Sequence, residues 1–221
     1  MLCGHPAASK IALQVLVDRA LSGHPVVYLD GSHTFDTFLF ERLVRSRRQQ
    51  PRKVLALIHV ARAFSARQLE RLMSHCLVAA LERYQADTAV ISGLLESLSA
   101  DYLTDKEVTR LTEGMIESVR HLRLQGFSLL CPCPRIPISL ARAYRLFDML
   151  RSMSNRCTRV YEVEGKVVME ELFDTPPTYT DPSESIVVGS PCPPDSPAGL
   201  PQYGVQYAID ASQEGPTRSA F

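Results

Sequence analysis

Val26-Val27-Tyr28-Leu29-Asp30-Gly31-Ser32 sets four apolar, mostly β-favouring residues immediately before a polar turn. An unbroken apolar run, as opposed to an alternating one, is what a strand covered on both faces needs, and such strands belong to parallel sheets. Upstream, Ile11, Leu13, Val15, Leu16 and Ala20 predict a helix over residues 9–22, ended by Gly23 and Pro25. Downstream, Phe38, Leu39, Leu43 and Val44 predict a short helix, a basic run from Arg45 to Arg52 follows, and Val54 to Val60 predicts a second apolar strand. Ser65 is placed to cap a helix reaching Tyr84, Thr88-Ala89-Val90-Ile91 is a strand, and Thr104 with Glu107 is a capping-box pair for a helix to Leu124. Gly126 closes that helix before a strand over Phe127 to Cys131. Pro132, Pro134 and Pro137 predict a loop, because proline cannot donate to a central ladder. A helix over residues 139–153 then precedes Arg159 to Val163 and Lys166 to Glu170, which alternate about Gly165 as a hairpin does. The expected fold is α/β: a mostly parallel sheet flanked by helices, closed by a C-terminal β-hairpin.

Composition divides the chain in two. Nine of its 15 prolines lie from Asp174 onward, in a stretch with little periodic apolar sequence. Residues 1–173 are therefore expected to form one core and residues 174–221 a flexible, proline-rich tail. The formal net charge of zero hides an asymmetry. The tail carries six acids and one base, leaving 23 bases against 18 acids in the core, a mildly basic balance compatible with nucleic-acid contact. In the tail, Ile186-Val187-Val188 and Tyr203 to Ile209 are apolar islands that a partner could capture.

No stretch approaches the roughly 20 apolar residues of a membrane span, and no secretory signal opens the chain, so the expectation is a cytoplasmic protein, or a nuclear one in a eukaryote. The six cysteines are scattered through a chain large enough to build its own core, which favours reduced thiols over a disulfide framework. Cys131 and Cys133 lie close together in Cys-Pro-Cys-Pro, but further ligands at zinc spacing are missing, so no metal site is expected.

Gly4-His5-Pro6-Ala7-Ala8-Ser9-Lys10-Ile11 has the frame of a phosphate-binding loop: glycine, four residues, a second small position, lysine, then a hydroxyl position. The segments after it follow the order of the RecA superfamily, and the chain resembles the archaeal and eukaryotic strand-exchange ATPases and their paralogues from Gly4 to Glu171. Val26 to Phe35 resembles that family's strand ending in Asp-Thr-Glu-x-Thr-Phe. Ile58-His59-Val60-Ala61-Arg62-Ala63-Phe64 is similar to its Val-Ala-Arg-Ala-Phe segment, the more specific match. Thr88 to Leu103 is placed like the strand that ends in the family's magnesium-associated aspartate. The resemblance implies a RecA-like P-loop core with Gly4, Ser9, Lys10 and Ile11 as the candidate nucleotide-binding positions, ATP and magnesium as the candidate cofactors, and Arg135, Arg142 and Arg145 as candidate DNA-binding residues after the last parallel strand. Only Met1, Leu2 and Cys3 precede Gly4, so the first strand is expected either to begin upstream of Met1 or to have been lost.

The departures fall where the chemistry would be done. Phosphoryl transfer needs amides and a lysine around the phosphates, a hydroxyl and an aspartate at magnesium, and a carboxylate to position water. Here Ser9 replaces the second glycine, Ile11 the hydroxyl residue, Ser32 the catalytic glutamate, Ser92 the strand-end aspartate, and Cys131-Pro132-Cys133-Pro134 the polar sensor. Losing these groups together should cost far more than the roughly 10²–10⁴-fold of one general acid–base group, so no catalytic residue is assigned and hydrolysis is not expected. The Asp30, Ser32 and His33 group reads as a strand-end loop before it reads as a nucleophile with its base.

The function this implies is a catalytically degenerate RecA-like accessory factor in DNA recombination or repair. It would act by binding another RecA-like or repair protein, or DNA, with weak ATP binding or none, as a homo- or hetero-oligomer. Two alternatives stay open: a weak DNA-dependent ATPase completed by a neighbouring subunit, and a regulatory scaffold unrelated to DNA.

Overall fold

The structure, a computed structural model, describes residues 1–99, 102–134 and 141–172. The segment from Asp174 onward with its apolar islands, Arg135, and the side chain of Arg142 lie outside the described residues. The chain is α/β. Among the described residues eight strands alternate with helices: β1 (Leu2–Cys3), β2 (Val26–Asp30), β3 (Ile58–Arg62), β4 (Thr88–Ser92), β5 (Ser128–Leu130), β6 (Pro132–Cys133), β7 (Cys157–Val163) and β8 (Lys166–Leu172). Between them run α1 (Ala7–Leu21), α2 (Thr37–Ser46), α3 (Pro51–Leu55), α4 (Ala66–Arg71), α5 (Leu77–Arg83), α6 (Leu94–Ser97), α7 (Asp105–Leu124) and α8 (Ala141–Met153). A π-helical turn, Leu72–Cys76, joins α4 to α5, so the helix expected from Ser65 to Tyr84 is continuous but locally widened.

The strands form two four-stranded sheets, β3-β2-β4-β5 and β6-β1-β7-β8. Every strand pairing is parallel except β7 with β8. One extended segment links the sheets: residues 128–130 pair with β4 as β5, and residues 132–133 pair with β1 as β6. Pro132, expected in a loop, is therefore in a strand. The Leu2 and Gly4 amides donate to the Cys131 and Cys133 carbonyls, each at 3.1 Å, so on the β1 side the ladder never uses the Pro132 nitrogen. That nitrogen faces the β4 side, where the missing N–H stops the pairing after Leu130↔Val90.

A second departure concerns Val54, expected at the start of a strand. Pro51, with φ preset for a first helical position, opens α3 instead, Val54 is buried by that helix, and β3 begins only at Ile58. The hairpin stands as expected: Glu164 and Gly165 both take positive φ, 51° and 74°, the conformation of the tight turns that match strand twist.

Period-two alternation along the strands sorts side chains between two cores. Val26 and Tyr28 pack with Ile11, Leu16, Phe40 and Val44 under α1, α2 and α3. Val27 and Leu29 pack with Leu69, Leu111, Met115 and Leu146 under α4 to α8. Helices thus cover both faces, the reason β2 and β4 read as continuous apolar runs. The sequence-expected caps are present. Ser65 Oγ accepts from the Gln68 amide at 3.2 Å, and Thr104 and Glu107 form a reciprocal capping box at the start of α7.

The carboxyl ends of β2 and β4 meet through glycine. Gly93 has φ of 79°, and a Cβ there would lie 2.3 Å from the Gly31 carbonyl carbon and 2.4 Å from the Ser32 nitrogen. Gly23 has a similar φ, 84°, but open space around it. Gly93→Ala should therefore cost about 3 kcal/mol or more, whereas Gly23→Ala should cost about 1 kcal/mol, the conformational term alone. Urea unfolding of both variants checks the difference.

Glu107 gives a pH test. Its carboxylate takes the Thr104 amide, the Arg67 guanidinium and the Thr104 hydroxyl, and these hold its pKa down at about 2. A carboxyl depressed in the folded state adds stability above its unfolded value, and that stability disappears as pH falls toward the folded value. The urea midpoint should fall more steeply between pH about 5 and about 2 in the native chain than in Glu107→Gln.

Candidate functional site

In an open sheet with helices on both faces, a crevice opens at the carboxyl ends of adjacent strands whose following helices go to opposite faces. Strands β1 and β6 meet that condition. The helix after β1 is α1, which packs in the core with Val26 and Tyr28; the helix after β6 is α8, which packs against α7 in the other. An open cleft of about 570 Å³ lies there. Ser9, Lys10 and Leu13 of α1 form one wall, His33 to Asp36 after β2 another, and Pro134 after β6 borders it.

The turn from β1 into α1 is short. Gly4, at φ 107°, donates its amide to the Cys133 carbonyl, and a Cβ there would come within 2.8 Å of the Val160 carbonyl oxygen. Only glycine lets the backbone pass this close. Pro6 is already in helical conformation, the Ala8 amide donates to the His5 carbonyl at 2.9 Å, and the Ala7 amide donates to His5 Nδ1 at 3.1 Å. Nδ1 therefore accepts, leaving Nε2 to face Glu162 Oε2 at 3.4 Å. The helix thus begins one turn before Lys10, and His5 and its carbonyl take up first-turn amides. Of the four loop positions singled out from sequence, Ser9 and Lys10 face the cleft, Gly4 supports it from below, and Ile11 is buried in the core beneath α1.

Asp30 builds the opposite wall. Its side chain is wholly buried, and its carboxylate accepts from the Thr34 amide at 2.9 Å, the Phe35 amide at 3.3 Å and Ser92 Oγ at 3.2 Å, with Arg62 Nε at 3.3 Å. A buried carboxylate is tolerable only with such full coordination. These partners leave Asp30 a structural anion and hold residues 33–36 over the cleft. Ser92, at the position of the expected strand-end aspartate, is itself buried against Asp30 and the Leu29 carbonyl. Asp36, the carboxylate lining the cleft, accepts from the Phe38 and Leu39 amides, each at 2.9 Å, as the N-cap of α2. The cleft thus presents a lysine and hydroxyls, with its acid committed to a cap. His33 is exposed at φ 56° with its ring 5.2 Å from that of Phe64.

The remaining sequence candidates lie elsewhere. Arg145 of α8 pairs with Glu113 of α7 at 3.4 Å, both largely exposed. Cys3, Cys131, Cys133 and Cys157 are buried near β1, with the Cys3 and Cys157 sulfurs 4.0 Å apart and hydrogen-bonded, not joined in a disulfide. A hydrogen bond donated by the Cys3 thiol to Cys157, together with burial, pushes Cys3 up, and burial raises Cys131 to about 11, so burial works against the thiolate form of both. Among the described residues no group of three or more His, Cys, Asp or Glu side chains could hold a metal, and no helix is long and apolar enough to cross a membrane. Sequence reasoning missed the wall from His33 to Asp36. Its signal was Asp30-Gly31 at a strand end, whose partners are distant in sequence.

The chain matches no model of a known protein family, and no curated protein matches it.

Removing the Asp30 carboxylate leaves two amides, a hydroxyl and a guanidinium without their partner. Asp30→Ala should cost about 3–5 kcal/mol in urea unfolding, while Ser92→Ala, which removes one donor of several, should cost about 1 kcal/mol.

Proposed function

We propose that this chain is a RecA-like accessory protein of DNA recombination or repair that works by binding and not by ATP hydrolysis. One observation carries the reading: the cleft at the strand ends offers Lys10 beside a glycine-anchored turn, yet its carboxylate, Asp36, is spent on capping α2. A lysine at a helix start can hold phosphate oxygens. Turnover would also need an acid to position water and a ligand set for magnesium. Ile11 in the core and Ser92 against Asp30 supply neither.

The residues fit a phosphate only weakly, because first-turn amides that would cradle it already bond His5. That closed turn favours a second reading, a scaffold that binds no nucleotide and acts through protein partners. ATP, if held, would rest on Lys10 and Ser9, and among the described residues magnesium would find no oxygen side-chain ligand in the cleft beyond hydroxyls and the Asp36 cap.

Calorimetry with magnesium and ATP on the full chain separates the two. The expected result is weak binding that Lys10→Ala abolishes, with no phosphate released by either protein. Absence of binding to the native chain at millimolar ATP would discard nucleotide recognition in favour of the scaffold reading. Phosphate release by the native chain, alone or with added DNA, would overturn the non-catalytic assignment.

A further inference from the structure

The surface made by α2, α3 and the turn between them has no part in the cleft chemistry. Phe40 and Val44 turn the apolar side of α2 into the core, and Phe38, Arg42 and Arg45 occupy the opposite side at spacings of four and three. Phe38 is 84% exposed. It borders a shallow surface groove together with Glu41, Arg42, Arg45 and Ser46. Beyond the helix the exposed cations Arg47, Arg48, Arg52 and Lys53 follow in the turn and in α3, and no acid occurs in sequence between Arg42 and Leu57. Arg45 is paired with Glu41, and Arg47 with Asp18 at 2.6 Å. Arg42, Arg48, Arg52 and Lys53 have no ion pair among the described residues.

Arg48 lies in the turn between the two helices. Helix α2 ends in a Schellman turn: the Arg48 amide donates to the Arg45 carbonyl at 2.9 Å and the Gln49 amide to the Val44 carbonyl at 3.2 Å. The left-handed position of that turn, φ 56°, is the one glycine normally fills, and arginine occupies it at a conformational cost. Arginine there places an exposed cation between α2 and α3.

We infer that the α2–α3 surface is a binding site for single-stranded nucleic acid, with Phe38 stacking on a base and Arg42, Arg48, Arg52 and Lys53 contacting successive phosphates. An exposed ring flanked by unpaired cations is the arrangement that holds single strands without base preference. Protein docking would call for a larger apolar centre than one protruding ring. Insertion into a lipid surface would call for the apolar face of α2, which is already packed inside. The site does not depend on nucleotide binding at the cleft and stands if that reading fails.

The test is fluorescence anisotropy on the full chain with labelled oligothymidylate and oligouridylate over a series of salt concentrations. Phe38→Ala should weaken binding at least about fivefold. Arg48→Gly should lower the slope of log affinity against log salt by about 0.7 while raising the melting temperature, a pairing that no loss of folding can imitate. Preference between the two oligonucleotides tells whether DNA or RNA is the natural strand, and either supports the site. Native affinity and salt slope retained in both variants would overturn it. So would competition by polyglutamate as effective as that by an oligonucleotide with Phe38→Ala unchanged, which marks an acidic protein surface as the occupant, or binding to anionic vesicles but to neither oligonucleotide.

Discussion

The buried carboxylate of Asp30 is the joint on which the working end of this molecule depends. It sits at the end of β2, the strand between β3 and β4, and reaches a partner from each neighbour: Arg62 at the end of β3 and Ser92 at the end of β4. Its remaining bonds go to the Thr34 and Phe35 amides, so three parallel strand ends and the following loop are fixed by one anion. Desolvating a carboxylate is so unfavourable that this arrangement tolerates little slack. The glycine contact between Gly31 and Gly93 makes the approach of the strands possible, because neither backbone could come this close past a Cβ.

From that joint the site follows. The held loop carries His33 to Asp36 across the cleft from α1, Phe35 packs edge-on against Tyr28 beneath it, and Asp36 starts α2. Direction is imposed here as well: α2 leaves with Phe40 and Val44 inward, which forces Phe38 and Arg42 outward. The cleft and the basic surface are thus two consequences of one loop geometry. Among the described residues the cleft has no free acid, because Asp30 is used as the joint and Asp36 as the cap.

On the other side of the crevice the short strand β1 is held between β6 and β7. Two paired residues would not hold a strand by themselves. What holds it is burial: Leu2 enters one core, Cys3 the other, and the thiols of Cys3, Cys133 and Cys157 serve there as small apolar groups. Pro132 ends the β4 ladder and frees the segment to turn toward β1, so the proline that breaks one sheet begins the next.

Much of this was legible in the sequence for a physical reason: periodicity, capping pairs and turn residues act over a few positions. The runs Val26 to Leu29 and Thr88 to Ile91, the Thr104–Glu107 box, Ser65 as a cap and the turn at Gly165 all carry local signals, and together they determined an α/β chain with a parallel sheet and a terminal hairpin. Gly4 and Lys10 were also marked by their spacing. The tertiary structure alone decided the rest, because the deciding partners are far apart in the chain. Val54 joined a helix through Pro51, and Pro132 joined a strand because its nitrogen faces where no donor is needed. Asp30 became a structural anion and not a base because Arg62 and Ser92 arrive from separate strands, and no local pattern of residues records which strand will lie beside which.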